Sequence, residues 1–484
     1  MLRIAVVGSG PSGVYTAQSL LAQSTVPGLR IDVLDRLPCP YGLVRYGVAP
    51  DHEKIKSLQN NLRTVLEDER ISFYGNVQIG PGGVSTDRLL GLYHAVVYCV
   101  GAAADRRLGI PGEDLPGSCS ATAFVSWYSA HPDAAADGFR LDWLTARSAV
   151  VIGAGNVAVD VARILSRGAD ELRPTDVPHA ALDALASSAV REVHMTARRG
   201  PSQAKFTTKE LRELGALPGA EVTVDGAELA LDPAYLDPAT LPAPVRRNVE
   251  VLRGWATAPA PASRREPPRV LRLRFFLRPV EILERDGRVG GVRFEHTAPD
   301  GSGGVRGTGT YEDVEAQLVL RAVGYLGVPL TGLPFDPATG TVPHAAGRVL
   351  RDGAPSPGEY VAGWIKRGPT GVIGTNRPCA KETVTSLLAD APTLALRPLT
   401  DEPLPALRQA GLRPVEWSGW LDIERAEAAL GRSLGRGSVK IPDWEGLLAA
   451  SRGGGEWGAW GDRCGVADAG WQMTEVGSRL TAVR

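Results

Sequence analysis

The strongest constraint on the fold is a glycine-rich turn that begins at the eighth residue. It reads Gly8-Ser9-Gly10-Pro11-Ser12-Gly13, between an apolar segment (residues 4–7) and a helical pattern from Val14 to Leu21. Glycine permits a tight turn at position 8, leaves position 10 open to a pyrophosphate, and lets the helix pack closely at position 13. The pattern predicts a buried parallel strand, a phosphate-binding turn and a helix, which together begin a dinucleotide-binding α/β fold.

The next predicted strand, residues 29–34, ends in the acidic residue Asp35. A carboxylate about twenty residues beyond the last glycine of such a turn can accept hydrogen bonds from both ribose hydroxyls. The same carboxylate would repel the 2′-phosphate of NADP. We therefore expect the first fold to bind FAD or NAD.

A second turn of this kind lies in the middle of the chain and reads Gly153-Ala154-Gly155-Asn156-Val157-Ala158. The following strand pattern, residues 190–196, leads to Arg198 and Arg199 rather than to an acid. Two guanidinium groups suit a 2′-phosphate because each makes charge-assisted, forked hydrogen bonds, although solvated surface arginines are the alternative. The reversed charge assigns FAD to the first fold and NADPH to the second.

The apolar segments 95–101 and 317–324 both end in glycine and are typical of strands that close such sheets. They predict an α/β fold of two Rossmann-like dinucleotide-binding domains, with the NADP domain inserted into the FAD domain. The expected division is 1–105 for the first part of the FAD domain and 106–324 for the NADPH domain. Residues 325–484 form the second part of the FAD domain, which resumes near residue 358, with a C-terminal extension.

Composition excludes several other classes. The five cysteines form no CxxC pair, which argues against a redox-active dithiol and against an internal iron–sulfur cluster, and no metal site is expected. The formal net charge of −1 gives no field that would attract nucleic acid. The sequence has no apolar stretch of bilayer length and no recognisable leader, so we expect no membrane insertion and a cytoplasmic location. The excess of arginine over lysine favours a bacterial source with a GC-rich genome.

Three longer motifs narrow the function. They occupy residues 40–52, 198–214 and 362–376, and read PYGLVRYGVAPDH, RRGP followed by FTTKELREL, and AGWIKRGPTGVIGTN. In this order they resemble the adrenodoxin reductase family of ferredoxin–NADP reductases, and the resemblance covers nearly the whole chain.

The resemblance implies a role for individual residues. FAD contacts fall, beyond the first turn with its Ser12, on Asp35, Leu43, Val77, Trp364, Gly371, Val372 and Ile373. NADP contacts fall on Gly153, Ala154, Gly155, Asn156, Val157, Arg198, Arg199, Glu210 and Gly371. His52 beside the flavin and Glu210 near the nicotinamide are the candidate catalytic residues, expected to align the nicotinamide and tune the flavin's charge. Asp35 departs from the glutamate expected in this family, so its ribose contact is expected to be weaker or bridged by water.

The implied activity is that of an FAD-dependent NADPH:ferredoxin oxidoreductase. In such an enzyme a hydride passes from NADPH to FAD N5, and single electrons then pass to a ferredoxin-type iron–sulfur protein, which supplies a monooxygenase or similar redox system. A flavin monooxygenase and a non-catalytic nucleotide-binding redox sensor are the alternatives. A disulfide reductase is disfavoured by the lack of CxxC.

Three further features of the sequence lead to separate expectations. A basic segment contains Arg246, Arg247, Arg253, Arg264, Arg265, Arg269, Arg272, Arg274 and Arg278 with the acids Glu250 and Glu266, around an expected exposed loop at residues 256–261. It is a candidate docking surface for an acidic ferredoxin, or else a solvated loop and strand.

Asp51 is positioned to cap a helix that begins at His52. Beyond residue 400 the tryptophans are expected to pack against the FAD domain, and these are Trp417, Trp420, Trp444, Trp457, Trp460 and Trp471.

Overall fold

A computed structural model describes residues 1–134, 138–258 and 269–453. The expectations for Arg264, Arg265, Glu266, Trp457, Trp460 and Trp471 lie outside the described residues.

The strands are, in chain order, β1 (Leu2–Val7), β2 (Leu29–Leu34), β3 (Ile71–Gly75), β4 (Ala95–Tyr98), β5 (Ala104–Asp105), β6 (Ser118–Ser120), β7 (Ser148–Ile152), β8 (Glu192–Thr196), β9 (Ala220–Val224), β10 (Arg269–Arg274), β11 (Leu277–Arg285), β12 (Arg288–Pro299), β13 (Val305–Glu315), β14 (Leu318–Arg321), β15 (Tyr325–Leu326), β16 (His344–Ala345), β17 (Arg348–Arg351), β18 (Ala354–Val361) and β19 (Val415–Glu416).

The helices are α1 (Pro11–Gln23), α2 (Leu43–Tyr46), α3 (Glu53–Lys56), α4 (Leu58–Leu66), α5 (Thr86–Leu92), α6 (Ala121–Tyr128), α7 (Asn156–Ser166), α8 (Ala169–Leu172), α9 (His179–Ala186), α10 (Thr208–Gly215), α11 (Gly226–Ala230), α12 (Pro233–Leu236), α13 (Ala243–Thr257), α14 (Trp364–Arg367), α15 (Asn376–Leu394), α16 (Pro403–Gln409), α17 (Trp417–Ser433) and α18 (Trp444–Ala450).

Two sheets organise the described chain. The first has the order β16-β17-β18-β4-β1-β2-β3-β19, and its five central strands are parallel. The second has the order β6-β14-β7-β8-β10-β9 and is parallel throughout. The parallel strands are apolar on both sides because helices or a second layer cover both faces. The predicted α/β class is confirmed.

Each sheet contributes to two apolar cores. On one face of the first sheet, β1 and β2 pack with α1, α15 and α17, and buried Trp420 joins this core as the sequence predicts. The opposite face packs against α5 and α16. Helices cover one face of the second sheet.

The other face of the second sheet is covered by an antiparallel sheet, β11-β12-β13, which the sequence analysis did not predict. Its strands carry alternating apolar residues, among them Ile282, Val292 and Val314, which complete the core. Two register shifts in the β11–β12 pair and many charged residues on the outer face hide this alternation in the sequence.

A short ribbon joins the two sheets. Strands β5 and β15 pair antiparallel, and Arg106 N donates to Gly324 O at 2.9 Å. The chain therefore passes from the first sheet to the second, and back again, at adjacent positions.

A C-terminal segment also touches both sheets' domains. We call residues 436–441 the strap. Arg436 donates to the carbonyls of Thr175 and Val177, while buried Lys440 donates to Arg45 O at 2.6 Å and to Ser129 O at 3.2 Å. None of the helices in the described part of the chain combines the length and apolar content needed to cross a bilayer.

Candidate functional site

The first glycine turn (residues 8–13) is closely packed on its inner side. Gly8 has φ +106°, and a Cβ there would lie 2.6 Å from Cys99 O, while a Cβ at Gly13 would lie 1.8 Å from Gly8 O. Gly10 has no such contact closer than 3.8 Å. The turn therefore requires glycine at positions 8 and 13 for packing, and it leaves the backbone at position 10 open to a ligand.

Asp35 holds this turn in place. Its carboxylate accepts from Ser9 N at 2.8 Å, from Ser9 Oγ at 2.5 Å and from Leu37 N at 2.9 Å. Burial raises the pKa of Asp35, and these hydrogen bonds from Ser9 and Leu37 oppose that rise. The protein thus uses much of the accepting capacity of the carboxylate, which leaves little for a ribose hydroxyl.

The surroundings of the first turn fit a bound flavin nucleotide. Among the described residues, the buried indole Nε1 of Trp364 has no hydrogen-bond partner. A Cβ at Gly363, which has φ +79°, would lie 2.2 Å from Ser12 Oγ. The apolar side chains of Leu43 and Val372 are 40% and 62% exposed, whereas Val77 is buried. A buried unpaired donor is costly unless a ligand satisfies it.

The second glycine turn (residues 153–158) is more open. Gly153 has φ +148°, and a Cβ there would lie 2.4 Å from Ala322 O, but a Cβ at Gly155 would meet nothing within 4 Å. The amide oxygen of Asn156 accepts from Thr207 N at 2.8 Å, and Lys205 N donates to Ala154 O at 2.8 Å. These bonds attach the loop before α10 to a turn whose outer side is free to receive phosphates.

Arg198 and Arg199 follow β8 and are both exposed. Their backbones are fixed, since Arg198 O accepts from Thr297 Oγ1 at 2.8 Å and Arg199 O accepts from Phe276 N at 3.4 Å. Within the described residues, neither guanidinium has a hydrogen bond or ion pair. Both remain available to an anionic ligand.

The segment from Gly368 to Asn376 forms a tight turn that leads into α15. Gly371 has φ +80°, and a Cβ there would lie 2.5 Å from Thr375 Oγ1. Arg367 donates to Thr370 O and, at 3.1 Å, to the amide oxygen of Asn376. Asn376 Nδ2 in turn donates to Ile373 O at 3.0 Å. The turn therefore has a fixed backbone and no side chain at Gly371.

The two candidate catalytic residues meet between the sheets. His52 precedes α3 in the first domain, and Glu210 lies on α10 in the second. Their atoms Nε2 and Oε2 are 2.9 Å apart, and both side chains are almost fully buried. Burial and Arg163 lower the pKa of His52, but the adjacent carboxylates of Asp160 and Glu210 outweigh them and raise it to about 9. His52 holds the pKa of Glu210 below its usual range although burial raises it.

Sequence reasoning missed four members of this cluster. Asp160 and Arg163 project from α7, Glu213 lies one turn beyond Glu210, and Asp51 precedes His52. The expected capping role of Asp51 is wrong, because α3 has no side-chain cap and the Asp51 carboxylate pairs with Arg163. A charged pair three residues apart within the apolar pattern of α7 was the available signal.

His52, Glu210 and Glu213 place ligand atoms within 4.8 Å of one another, a spacing that a metal ion could use. The guanidinium of Arg163, however, reaches all three side chains at 2.7–3.6 Å. An internal cation therefore already balances these carboxylates.

The basic segment is more paired than expected. Arg253 donates to Tyr235 O, Arg269 to Arg167 O, and Arg272, Arg274 and Arg278 form ion pairs with glutamates. The prediction of an exposed loop at residues 256–261 is also partly wrong, because α13 continues to Thr257. Residues 259–261 lie outside the described ranges. Arg246, with a side chain 43% exposed, and Arg247 remain accessible on α13.

Comparison with known proteins gives close matches. A family model described as pyridine nucleotide-disulphide oxidoreductase matches residues 2–205. The mitochondrial NADPH:adrenodoxin oxidoreductase of Arabidopsis thaliana is 41% identical over 466 residues, which are 93% of this chain and 95% of that protein. NADPH-ferredoxin reductase FprA of Mycobacterium tuberculosis is 45% identical over 464 residues, or 92% of this chain and 98% of that protein. The solved structure of FprA in complex with NADPH matches with a TM-score of 0.85 and 43% identity, and covers 93% of this chain and 100% of that chain.

Proposed function

The chain belongs to the adrenodoxin reductase family of ferredoxin–NADP reductases, and we propose that it transfers electrons from NADPH, through FAD, to a ferredoxin-type iron–sulfur protein. The observation that carries this proposal is the contact of His52 with Glu210. It joins one residue from each nucleotide-binding fold, at the place where the two folds face each other.

FAD and NADPH are the cofactors. Bound FAD supplies the exchange between a two-electron hydride donor and one-electron acceptors. We propose that the first glycine turn holds its pyrophosphate, with Gly8, Gly10, Ser12 and Gly13 in contact. The other proposed contacts are Asp35, Leu43, Val77, Trp364, Gly371, Val372 and Ile373.

We propose that the second glycine turn holds the NADPH pyrophosphate at the N-terminus of α7. Five consecutive residues, Gly153 to Val157, form this contact, and the open space at Gly155 supports it. Arg198 and Arg199 bind the 2′-phosphate, and Glu210 and Gly371 lie near the nicotinamide. The task of His52 and Glu210 is to position this ring, since their ion pair is buried and already formed before the nicotinamide arrives.

The partner surface is proposed to be acidic. Arg246 and Arg247 on α13, with exposed Arg212 and Lys209 on the neighbouring α10, give a basic surface, on which Glu250 lies 3.9 Å from Arg246 and Glu213 lies 3.7 Å from Lys209. An acidic partner would be attracted to this surface with a rate that falls as salt rises.

We also propose the domain division 1–105, 106–324 and 325–484. The pairing of β5 with β15, and the bond from Arg106 to Gly324, support it. A bacterial cytoplasm is the proposed location, since NADPH is a cytoplasmic reductant and several relatives are mycobacterial. The acceptor protein is proposed to supply a monooxygenase or a similar redox system.

Anaerobic stopped-flow spectroscopy of the purified protein tests the function. NADPH should bleach the flavin faster than NADH does, and added oxidised ferredoxin should restore the flavin absorbance. Restoration by oxygen with an organic substrate, but by no iron–sulfur protein, would identify a monooxygenase instead. NADPH binding without bleaching would identify a nucleotide-binding sensor.

A further inference from the structure

Arg163 is the most deeply buried charge in the cluster at the domain interface, with no exposed side-chain surface. It lies on α7, the helix that starts at the second glycine turn. Its side chain reaches across to Asp51 and His52, which follow the first domain's α2. A guanidinium in this position needs carboxylate partners, because an unpaired buried charge is very unfavourable.

The guanidinium binds both domains. Its Nε and Nη2 donate to the two oxygens of Asp51 at 2.8 and 3.0 Å, a forked pair across the interface. Its Nη1 lies 2.8 Å from Asp160 Oδ1, on the same helix. The forked geometry fixes the orientation of the group as well as its position.

The same guanidinium also meets the imidazole of His52. Arg163 Nη2 is 2.7 Å from His52 Nε2, while Asp160 Oδ1 and Glu210 Oε2 are 3.0 and 2.9 Å from that nitrogen. A ring nitrogen can either carry a proton and donate, or present a lone pair and accept. It cannot bond to the arginine and to the carboxylates at the same time.

Two bonded states of His52 follow. When Nε2 carries no proton, it accepts from Arg163, and Nδ1 carries the proton facing Glu213 Oε2 at 3.6 Å. When both ring nitrogens are protonated, Nε2 donates to Asp160 or Glu210 and faces a neighbouring cation. Arg163 thus stabilises the neutral ring, and the carboxylates stabilise the charged ring.

We infer that Arg163 is a positioning residue of this reductase, which fixes the NADPH domain on the FAD domain through Asp51 and competes with Asp160 and Glu210 for Nε2 of His52. The inference rests on the proposed function, because it assigns the support of the ring that contacts Glu210. It gives Arg163 a task that neither glycine turn performs, namely to set the charge of the interface at which the nicotinamide arrives.

The charged groups facing His52 come from three elements. They are Asp51 from the segment before α3, Asp160 and Arg163 from α7 with the more distant Arg167 just after it, and Glu210 and Glu213 from α10. Four carboxylates and two guanidinium groups leave an excess of negative charge around the ring, which agrees with a raised pKa of His52. Removal of Arg163 should therefore raise that pKa further.

The test measures the pKa of His52 directly, in the oxidised holoprotein without NADPH. Histidine carrying carbon-13 at Cε1 is titrated by NMR, and His52→Asn identifies the signal. We expect Arg163→Gln to raise the pKa of His52 by about one unit or more, as loss of an adjacent like charge does. We also expect it to slow NADPH-driven bleaching of the flavin by about tenfold or more, since the ring is no longer aligned.

Arg167→Gln is the matched control. Arg167 also approaches Asp51, at 3.4 Å, but does not touch His52, so this variant should leave the pKa of His52 within about 0.3 units of the wild-type value. An unchanged or lowered pKa in Arg163→Gln would overturn the inference, as would an equal rise in both variants.

If Arg163→Gln does not retain FAD, Arg163→Lys provides the test instead. An ammonium group cannot form the forked pair with Asp51 and reach His52 together, so both the pKa and the bleaching rate should change in the same directions by smaller amounts. If the pKa of His52 and the bleaching rate both keep their wild-type values in Arg163→Lys, the inference is overturned. The titration uses no NADPH or ferredoxin. If the wild-type protein does not reduce ferredoxin, the proposed function is wrong, but the measured effect of Arg163 on the pKa of His52 remains valid.

Discussion

Asp35 and the Arg198–Arg199 pair follow corresponding strands of two related folds, but the protein treats them differently. Asp35 is bonded to its own glycine turn through Ser9. The guanidinium groups of the two arginines have no hydrogen bond or ion pair within the described residues, and both residues are exposed. The acidic position therefore supports the turn, whereas the basic position is left free of protein contacts within the described residues.

The arginine pair should determine the choice of nucleotide. Arg198→Gln together with Arg199→Gln should weaken NADPH binding by about 100-fold, because two charge-assisted contacts to the 2′-phosphate are lost. NADH binding should change by less than about threefold, since NADH carries no 2′-phosphate. Steady-state KM values for the two nucleotides provide the measurement. Arg191→Gln, an exposed arginine at the other end of the same strand, is the control, and an equal loss for NADPH there would contradict the assignment.

His52 should make the stability of the protein pH-dependent. Its pKa is raised from 6.5 to about 9 in the fold. A raised pKa contributes stability that is complete below pH 6.5 and is lost as the pH rises through 9. The melting temperature of His52→Asn should therefore fall below the wild-type value by about 3 °C more at pH 6 than at pH 9.5. Thermal melts followed by flavin fluorescence measure this, and a gap that widens with pH would contradict it.

Single residues were predictable where a motif or a charge reversal marked them. Arg198, Arg199, His52 and Glu210 belong to sequence patterns. Arg163 does not, since its function depends on a carboxylate more than a hundred positions away in the chain. Pairing of this kind is a property of how the two domains dock, and local sequence carries little information about it.

The two glycine turns are similar elements, but they differ in the space they leave for a side chain. Gly13 packs against the backbone of Gly8, whereas Gly155 faces open space. At these two positions, substitution is limited by the protein's own atoms at Gly13, and by no atom of the described chain at Gly155.

Alanine substitutions should separate the two cases. Gly13→Ala should lower the FAD content to a small fraction of the wild-type value, because a Cβ would lie 1.8 Å from Gly8 O. Gly155→Ala should retain FAD and fold normally but weaken NADPH binding by about tenfold or more, since the methyl group occupies the space of the pyrophosphate. Flavin absorbance per protein and NADPH titration measure the two effects. Full FAD content in Gly13→Ala would contradict the packing argument.

Helix α13 is the element proposed to receive the partner. Arg246→Glu with Arg247→Glu should raise the KM for an acidic ferredoxin by about tenfold and reduce its salt dependence. The rate of flavin bleaching by NADPH should not change, because neither residue lies in the nucleotide site. Arg285→Glu with Arg288→Glu, at the remote β11–β12 turn, is the matched control. An equal rise in KM in both double variants would reject α13 as the docking element.

Elements were predictable when burial made them uniformly apolar. Strand β2 spans the predicted residues, and β1, β4 and β14 fall within or close to the predicted segments. The antiparallel sheet β11-β12-β13 was missed because one of its faces is charged and its register shifts interrupt the alternation. In the tail, residues 421–430 have an amphipathic pattern that predicts a helix, and α17 contains them but spans Trp417–Ser433.

On the scale of the whole molecule, the strap and the β5–β15 ribbon hold the domains together besides the cluster at Arg163. The strap attaches to the second domain through Arg436 and to the first through Lys440. Burial lowers the pKa of Lys440 to about 7, against the attraction of Asp176. The described C-terminal part is thus a structural link between the domains.

Arg436→Gln should loosen this link. Loss of the donors to Thr175 and Val177 should destabilise the region by about 1–3 kcal/mol, since the carbonyls are left without a partner. Hydrogen exchange should become faster in residues 172–178, with little change in β1. Arg432→Gln, an exposed arginine on α17, is the control. Unchanged exchange in Arg436→Gln would show that the strap does not hold the domains.

The β5–β15 ribbon has a consequence for how such a protein can be altered. Because Arg106 and Gly324 are hydrogen-bonded neighbours, the two ends of the intervening segment are almost coincident in space. A short turn could replace that segment without disturbing the strands on either side. A related unit with a different electron donor could thus be grafted at the same two positions, provided that it also supplies partners for Asp51, His52 and the strap.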